Sequence, residues 1–470
     1  MKSQLSRLIV IVGLFLAGCT QGPEYHPYSA SDLAVPEQYV GGNEGIPTAD
    51  ISEWWSLFND PVLAELINTA LSENLDIAQS ATVVVQAREA LIQSGAAQLP
   101  AIGISSSSGR NFYSEAPDSW SFSRSIDASW SADIFGGLKR SRQAALASFQ
   151  AAGYSLANAR TLIAAELARN YVTVRSFEER LRIAEDSIRN QDSNFQIAKW
   201  RAQAGLVSSV DVEQASAQRA QTAAIIPLLE QSEAAARYRL AVLTGQAPGA
   251  VDSLLGDDGR LPTIPDFIAR GAPANILRQR PDILASERDL ASATALIGVA
   301  QAQLYPALTL TGNIGSTSSE FGNITDILTG GLFASIAQSI FDAGSRRSVV
   351  RSQQAAADGA FAAYRSTILT ALEEVENAII ARRTAEARIS AFSDQSRSAS
   401  NAAILARYNY RAGLIDFQRL LESERSLLSA NDSLAVARAD QLTSAIQLYL
   451  ALGGGWQPVP QKTDNEEASK

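Results

Sequence analysis

The chain is written twice. "AAQLPAIGIS" at residues 96–105 returns as "AQAQLYPALTLT" at 300–311, "DIFGGLKRSRQAA" at 133–145 as "SIFDAGSRRSVVRSQQAA" at 339–356, and "AGLVSSVDV" at 204–212 as "AGLIDFQRL" at 412–420. Pairing Leu99 with Leu304, Phe135 with Phe341 and Gly205 with Gly413 gives offsets of 205, 206 and 208 residues. Three echoes in one order at nearly one spacing mark an internal duplication, so a fold adopted by one half is open to the other. The 470 residues would otherwise allow two or three unrelated domains.

Each half reads as helix, strand pair, very long helix, tight turn and returning helix. The long helices are expected at about 136–203 and 343–411, each roughly 100 Å at ~1.5 Å per residue. No proline falls between Pro117 and Pro227, or between Pro306 and Pro458, so both lack the commonest helix breaker. Val174, Phe177, Leu181, Ala184 and Ile188 step by three and four residues, as do Ile368, Leu372, Val375 and Ile379. That spacing keeps an apolar seam against a partner helix in a left-handed supercoil. Helices of this length exceed those of ordinary globular domains and imply a rod or a tube.

The expected boundaries follow. Residues 51–246 form the first repeat, with a β-hairpin at about 101–135, the long helix at 136–203 and a return helix at 208–246. A Pro- and Gly-rich connector occupies 247–275, and the second repeat spans 276–455, with a hairpin at about 307–341, a long helix at 343–411 and a return helix at 414–453. Residues 19–50 read as an extended tether and 456–470 as a polar tail.

The strands carry the sharpest pattern. In "SWSFSRSIDASWSADIF", 119–135, Trp120, Phe122, Ile126 and Trp130 share the even positions while serines and aspartates hold the odd ones. Half-buried strands of soluble sheets alternate in the same way, but a transmembrane barrel strand needs this polarity, with lipid outside and water inside. Four strands of about 9 to 11 residues suit a tilted membrane strand, yet four cannot close a barrel. Open edges in hydrocarbon cost several kcal/mol per unsatisfied group, so closure must come from other copies. Three copies would supply twelve strands and twelve helices, although closure alone does not set the number. Arg124 interrupts the apolar row; at mid-bilayer it would cost about 2 to 4 kcal/mol, which places it near the outer end, within reach of lipid phosphates.

The N-terminus carries its own signal. Lys2 and Arg7 precede an apolar run from Leu8 to Phe15, followed by "LAGC" ending at Cys19, the one cysteine of the chain. The run is too short to span a bilayer, and 1–18 read as a cleaved secretory signal. "LAGC" resembles a bacterial lipobox, which implies acylation of Cys19 and, with Thr20 rather than Asp next, retention in the outer membrane. Several acyl chains on one residue make a stable anchor. The formal charge of -10 and the lack of a sustained basic run argue against a nucleic-acid partner. His26, in the tether, is the only histidine, so metal sites built on histidine clusters and Ser-His-Asp catalysis have no place in the body. No GxxxxGK phosphate loop is present either. The reading is therefore of a protein that is not an enzyme and takes no metal or cofactor beyond the covalent lipid.

"LRQRPDILASERDLASATALIGVAQAQLYPALTLTG", 277–312, with Arg280-Pro281-Asp282-Ile283, Glu287-Arg288 and Ile297-Gly298-Val299-Ala300, resembles the signature of TolC-like outer-membrane efflux lipoproteins, the NodT type serving resistance-nodulation-division pumps. The resemblance implies a homotrimeric channel-tunnel: mainly α with membrane β-strands, the duplicated helix–hairpin–long-helix–helix units of three chains making a 12-stranded outer-membrane β-barrel continued by a 12-helix periplasmic α-barrel. It implies a periplasmic adaptor and an inner-membrane transporter as partners, with drugs or small toxic compounds as cargo. Gly205-Leu206 and Gly413-Leu414 match the adaptor-contacting turns, and each glycine also reads as a helix C-cap. Beyond the turns, Asp211, Glu213, Asp416, Arg419 and Glu422 are candidates for a periplasmic constriction, since inward carboxylates repeated in a ring repel one another and hold ions. Asp416 and Arg419, three apart on one helical face, stand first. A duct for type I protein secretion and a non-conducting coiled-coil lipoprotein are the alternatives.

Overall fold

The computed structural model describes residues 20–33, 35–36, 39–40, 51–114, 117–256, 259–264, 279–323 and 328–457. The expected signal segment, Cys19, residues 265–275 of the connector and the tail from 458 lie outside the described residues. Two compact units emerge, one from the described parts of Met1–Leu33, Ala81–Ser155 and Asp282–Thr367, the other from those of Ala34–Ser80, Leu156–Pro281 and Ile368–Lys470.

The elements repeat. Helices α1 (Pro61–Glu73) and α2 (Leu75–Ala96) lead to strands β1 (Ala101–Asn111) and β2 (Ser119–Ala132), the long helix α3 (Gly137–Gln203), then α4 (Ser209–Ala223), α5 (Ile225–Leu243) and the short α6 (Asp252–Leu255). The second half gives α7 (Pro281–Ala302), β3 (Ala307–Ser318), β4 (Thr329–Ala337), α8 (Ser345–Arg411) and α9 (Phe417–Ala451). Helices α2 and α7 have 22 residues each and lie 206 apart; α3 and α8 have 67 each and lie 208 apart. The two added residues fall at the strand-to-helix corner, where Phe135 leads straight into Gly136 but Phe341 is followed by Asp342 and Ala343 before Gly344.

The returning segments differ in one respect from expectation. Residues 417–451 form one helix, but 209–243 break at Ala224 into α4 and α5. The physical reason is Pro227, third residue of α5, which has no N–H for the Ala223 carbonyl and crowds it with its ring. The second copy carries Ala435 at the matching position and runs on unbroken.

In the first unit the four strands form one antiparallel sheet in the order β1-β2-β3-β4. The centre is the pairing of β2 with β3, Ala128 opposite Gly312, which joins the two halves of the duplication. Strands β1 and β4 are its open edges. In the second unit the core gathers Trp54, Phe58, Leu63, Leu66, Tyr171, Leu240 and Tyr449. Asp60 caps α1, accepting from Val62 and Leu63, while its other oxygen accepts a hydrogen bond from the Tyr171 hydroxyl at 2.7 Å. Among the described residues no helix is long and apolar enough to cross a membrane.

Candidate functional site

Register carries the two-faced pattern across all four strands. Arg124 lies opposite Ser106 and Ser316, Ile126 opposite Ile104 and Ile314, and Gly312 opposite Leu332, so even positions share one face throughout. That face holds Ile102, Leu308, Leu310, Ala334 and Ile336 beside the predicted Trp120, Phe122, Ile126 and Trp130. Trp120 stacks on Phe122 at 5.9 Å, and Phe122 meets Phe321 edge-on at 5.5 Å, an aromatic cluster at the hairpin-turn end. Trp130 sits near the other end, its indole N–H on the Gln98 carbonyl at 2.8 Å.

The odd face is serine along β2 except at Asp127, and mixes hydroxyls with glycine, alanine, asparagine and Phe333 on the other three strands. Ser105 and Ser125 approach to 2.9 Å and Ser107 and Ser123 to 2.7 Å. Asp127 accepts from Ser125 at 2.7 Å and from Ser105 at 3.1 Å, and it is the one charged residue at an odd position in the strands. Such a sheet suits a boundary between an apolar solvent and water.

The tip turns are built alike. Gly205 and Gly413 sit at φ 73° and 75°, where a Cβ would strain the chain. Around them the N–H of Leu206 donates to the Arg201 carbonyl at 2.9 Å and that of Gly205 to Ala202; the N–H of Leu414 donates to Asn409 at 2.8 Å and that of Gly413 to Tyr410. Both are paired C-terminal caps that satisfy the orphan carbonyls of α3 and α8. Leu206 and Leu414 are left 69% and 73% exposed at the turns. Three residues after each glycine a polar side chain starts the next helix: Ser208 accepts from the Val210 N–H, and Asp416 from the Arg419 N–H at 2.8 Å.

That placement corrects one expectation. Asp416 stands ahead of α9 as its N-cap and not on a helical face shared with Arg419, because its carboxylate serves an otherwise unpaired backbone N–H. The Arg419 guanidinium turns to Glu422 at 3.4 Å, both exposed. Asp211, in the first turn of α4, is half-buried and Glu213 is exposed.

A buried network that sequence reasoning missed stands behind the turns. Glu424, 3% exposed, pairs with Arg407 at 2.5 Å and accepts from Asn194 at 3.5 Å. The Glu424 carboxylate beside it holds the Arg407 pKa above its ordinary value. Arg201 donates to the Tyr410 carbonyl at 3.0 Å and lies over the Tyr410 ring at 4.7 Å. Phe417, Leu420, Leu421 and Ala198 close the apolar cluster around them.

In the first unit, the segment after Cys19 is strapped down. The Gln21 N–H donates to the Phe135 carbonyl at 3.1 Å, and the buried Arg140 donates to the carbonyls of Gln21 and Gly22 at 3.0 and 2.9 Å. A Cβ on Gly298 would stand 2.7 Å from the Gln21 oxygen, so the glycine of Ile297-Gly298-Val299-Ala300 is where the strap touches α7. Tyr25 donates to Glu287 at 3.0 Å beneath Arg288. In the second unit, Arg280 donates to the Ala451 carbonyl at 2.9 Å and pairs with Glu374 at 2.7 Å. The signature residues thus hold backbone together. Only Gly298, a helical glycine, signalled a close approach in the sequence.

The sequence profile of the family described as "Outer membrane efflux protein" matches residues 66–246 and 272–454. Nodulation protein T of Rhizobium leguminosarum bv. trifolii is 30% identical over 457 residues, covering 95% of this chain and 96% of the relative. The pyoverdine export outer membrane protein OpmQ of Pseudomonas putida is 33% identical over 425 residues, covering 86% and 88%. Among solved structures, the outer-membrane channel OprN superposes with a TM-score of 0.85 at 32% identity, covering 94% of this chain and all of that one.

Proposed function

The chain belongs to the outer membrane efflux protein family, and from that premise we infer that three copies close their sheets into one barrel through which small compounds leave the cell. It is the outer-membrane channel component of an efflux system. The observation that carries closure by further copies is the sheet itself: a mainly apolar face, a mainly polar face and two unpaired edges, β1 and β4, that hydrocarbon does not tolerate.

The odd face then lines the pore and the even face meets lipid. Passage is passive: serines, threonines and Asp127 contact water and cargo without holding either. The protein performs no bond chemistry in this reading and needs no cofactor. Cys19 carries the lipid, and the strap from Thr20 to Tyr25 sets that anchor beside Gly136, at the membrane end of α3. The exposed Leu206 and Leu414 offer apolar footholds to a periplasmic adaptor, which couples the channel to an energised inner-membrane transporter of the resistance-nodulation-division type. Asp211, Glu213, Asp416, Arg419 and Glu422 ring the narrow end. The cargo class is drugs or other small compounds; the relatives include one named for pyoverdine export and one for antibiotic efflux.

Purified full-length chain in planar lipid bilayers tests the proposal. Discrete conductance steps and a heat-sensitive trimer band on gels are expected; a monomer silent in lipid would end it. Deleting the gene is expected to raise drug accumulation and leave protein export unchanged.

A further inference from the structure

The apolar face of the sheet ends abruptly. Ile104, Ile126 and Ile314 stand side by side in register, and the next row toward the hairpin turns is Ser106, Arg124 and Ser316. One step beyond lie Ser108, Phe122 and Ser318, then Arg110 opposite Trp120. Arg110 is already paired, with Asp118 at 3.1 Å. Arg124 is exposed and makes no ion pair or hydrogen bond among the described residues.

Beside it is a second unfinished group. Ser316 is 5% exposed, and its hydroxyl has no hydrogen-bond partner among the described residues. Both residues line a hollow of about 470 Å³ whose other walls are Ile104, Ile126, Ile314 and Leu328, with Ser125 and Gly315. A free guanidinium and an unpaired hydroxyl above a floor of isoleucines ask for an anionic head on an apolar body. Guanidinium groups take phosphate oxygens through parallel N–H donors, and a neighbouring hydroxyl adds a third.

We propose that this row is a binding site for the phosphate of an outer-leaflet membrane lipid, one per chain, with the acyl portion lying along Ile126 and Ile314. The inference rests on the reading that the even face meets lipid. The phosphate completes the hydrogen bonding of Arg124 and Ser316, and the lipid becomes a fixed part of the barrel wall at the height where hydrocarbon gives way to headgroups.

The test is native mass spectrometry of the full-length trimer with bisphosphorylated lipid A, the same lipid with its phosphates removed, and inorganic phosphate. Wild type is expected to hold up to three lipid A molecules, about tenfold more tightly than the dephosphorylated form, the factor for one charge-assisted contact. Arg124→Gln lowers retention about tenfold, Arg124→Lys keeps part of it, and Ser316→Ala gives a smaller loss. Equal retention of both lipids by wild type, unchanged retention in Arg124→Gln, or complete displacement by millimolar inorganic phosphate would each overturn the proposal. Should Arg124→Gln not assemble, the comparison of the two lipids on wild type decides alone. A conducting trimer without lipid preference ends this inference and leaves the channel standing; a wild-type chain that neither assembles nor conducts ends both.

Discussion

Removing the Asp416 carboxylate takes away the acceptor that starts α9, and Asp416→Ala is expected to cost about 1 kcal/mol of stability, the usual loss of an N-cap. Arg419→Ala removes an exposed pair with Glu422 and should cost well under about 1 kcal/mol. Glu424→Ala strips a buried partner from Arg407 and should cost up to about 3 kcal/mol, the low end for a broken buried pair because Arg407 is partly exposed. Heat dissociation of the trimer ranks the three; an Arg419 variant as weak as the Glu424 variant would contradict the ordering. If Asp416 and Arg419 also hold the narrow end shut, either alanine variant raises conductance, and unchanged conductance in both removes them from the gate. The Tyr39 hydroxyl is pushed up to about 12 from the ordinary 10.0 by burial first and the Glu376 charge second, and burial raises Tyr171 as well. The folded chain then holds protons that the unfolded chain has lost between those values. Their contribution to stability is fully present below pH 10 and is lost as pH climbs toward about 12, visible as a dropping dissociation midpoint. The glycine C-caps at Gly205 and Gly413 were legible at this scale, whereas Asp416, the N-cap directly ahead of α9, was read instead as part of a helical face. The Glu424 pair and the Arg140 clamp were not legible, because each joins residues more than a dozen positions apart that follow no local period.

At the level of elements, alternation with a period of two is legible wherever one face is wet and the other is not, and the strands were readable for that reason. A thiol placed on the odd face, Ser125→Cys, is expected to react with a charged water-soluble reagent, while Ile126→Cys one position away, below the Arg124 row, reacts only with a lipid-soluble one. Equal reactivity of the two would refute the division of faces. The long helices were readable from missing proline and from the seam, but the joint between α4 and α5 was missed although Pro227 stands in plain sight. Apolar spacing continues across it, and spacing alone does not register a lost backbone donor. Pro227→Ala restores that donor and removes the clash. Hydrogen exchange should slow across 224–228 as the two helices merge; exchange as fast as in wild type would show that something other than the proline holds them apart.

For the assembled molecule, the open edges make the firmest prediction. Cysteine pairs scanned along β1 and β4 are expected to form disulfides between chains at one register, giving a covalent ladder on gels that stops at three. A ladder that ran on would mean an open sheet, and one that stopped at two would mean a different closure. The duplication was visible from three short echoes, which is why the two halves could be aligned without knowing either fold. The number of copies was not, since a chain encodes its edges but not how many neighbours complete the circle. The break at Ala224 occurs in only one of the two halves. A closed stalk of three such chains therefore contains both jointed and unbroken returning segments. Of its six returning segments, three carry a point at which they can bend and three do not.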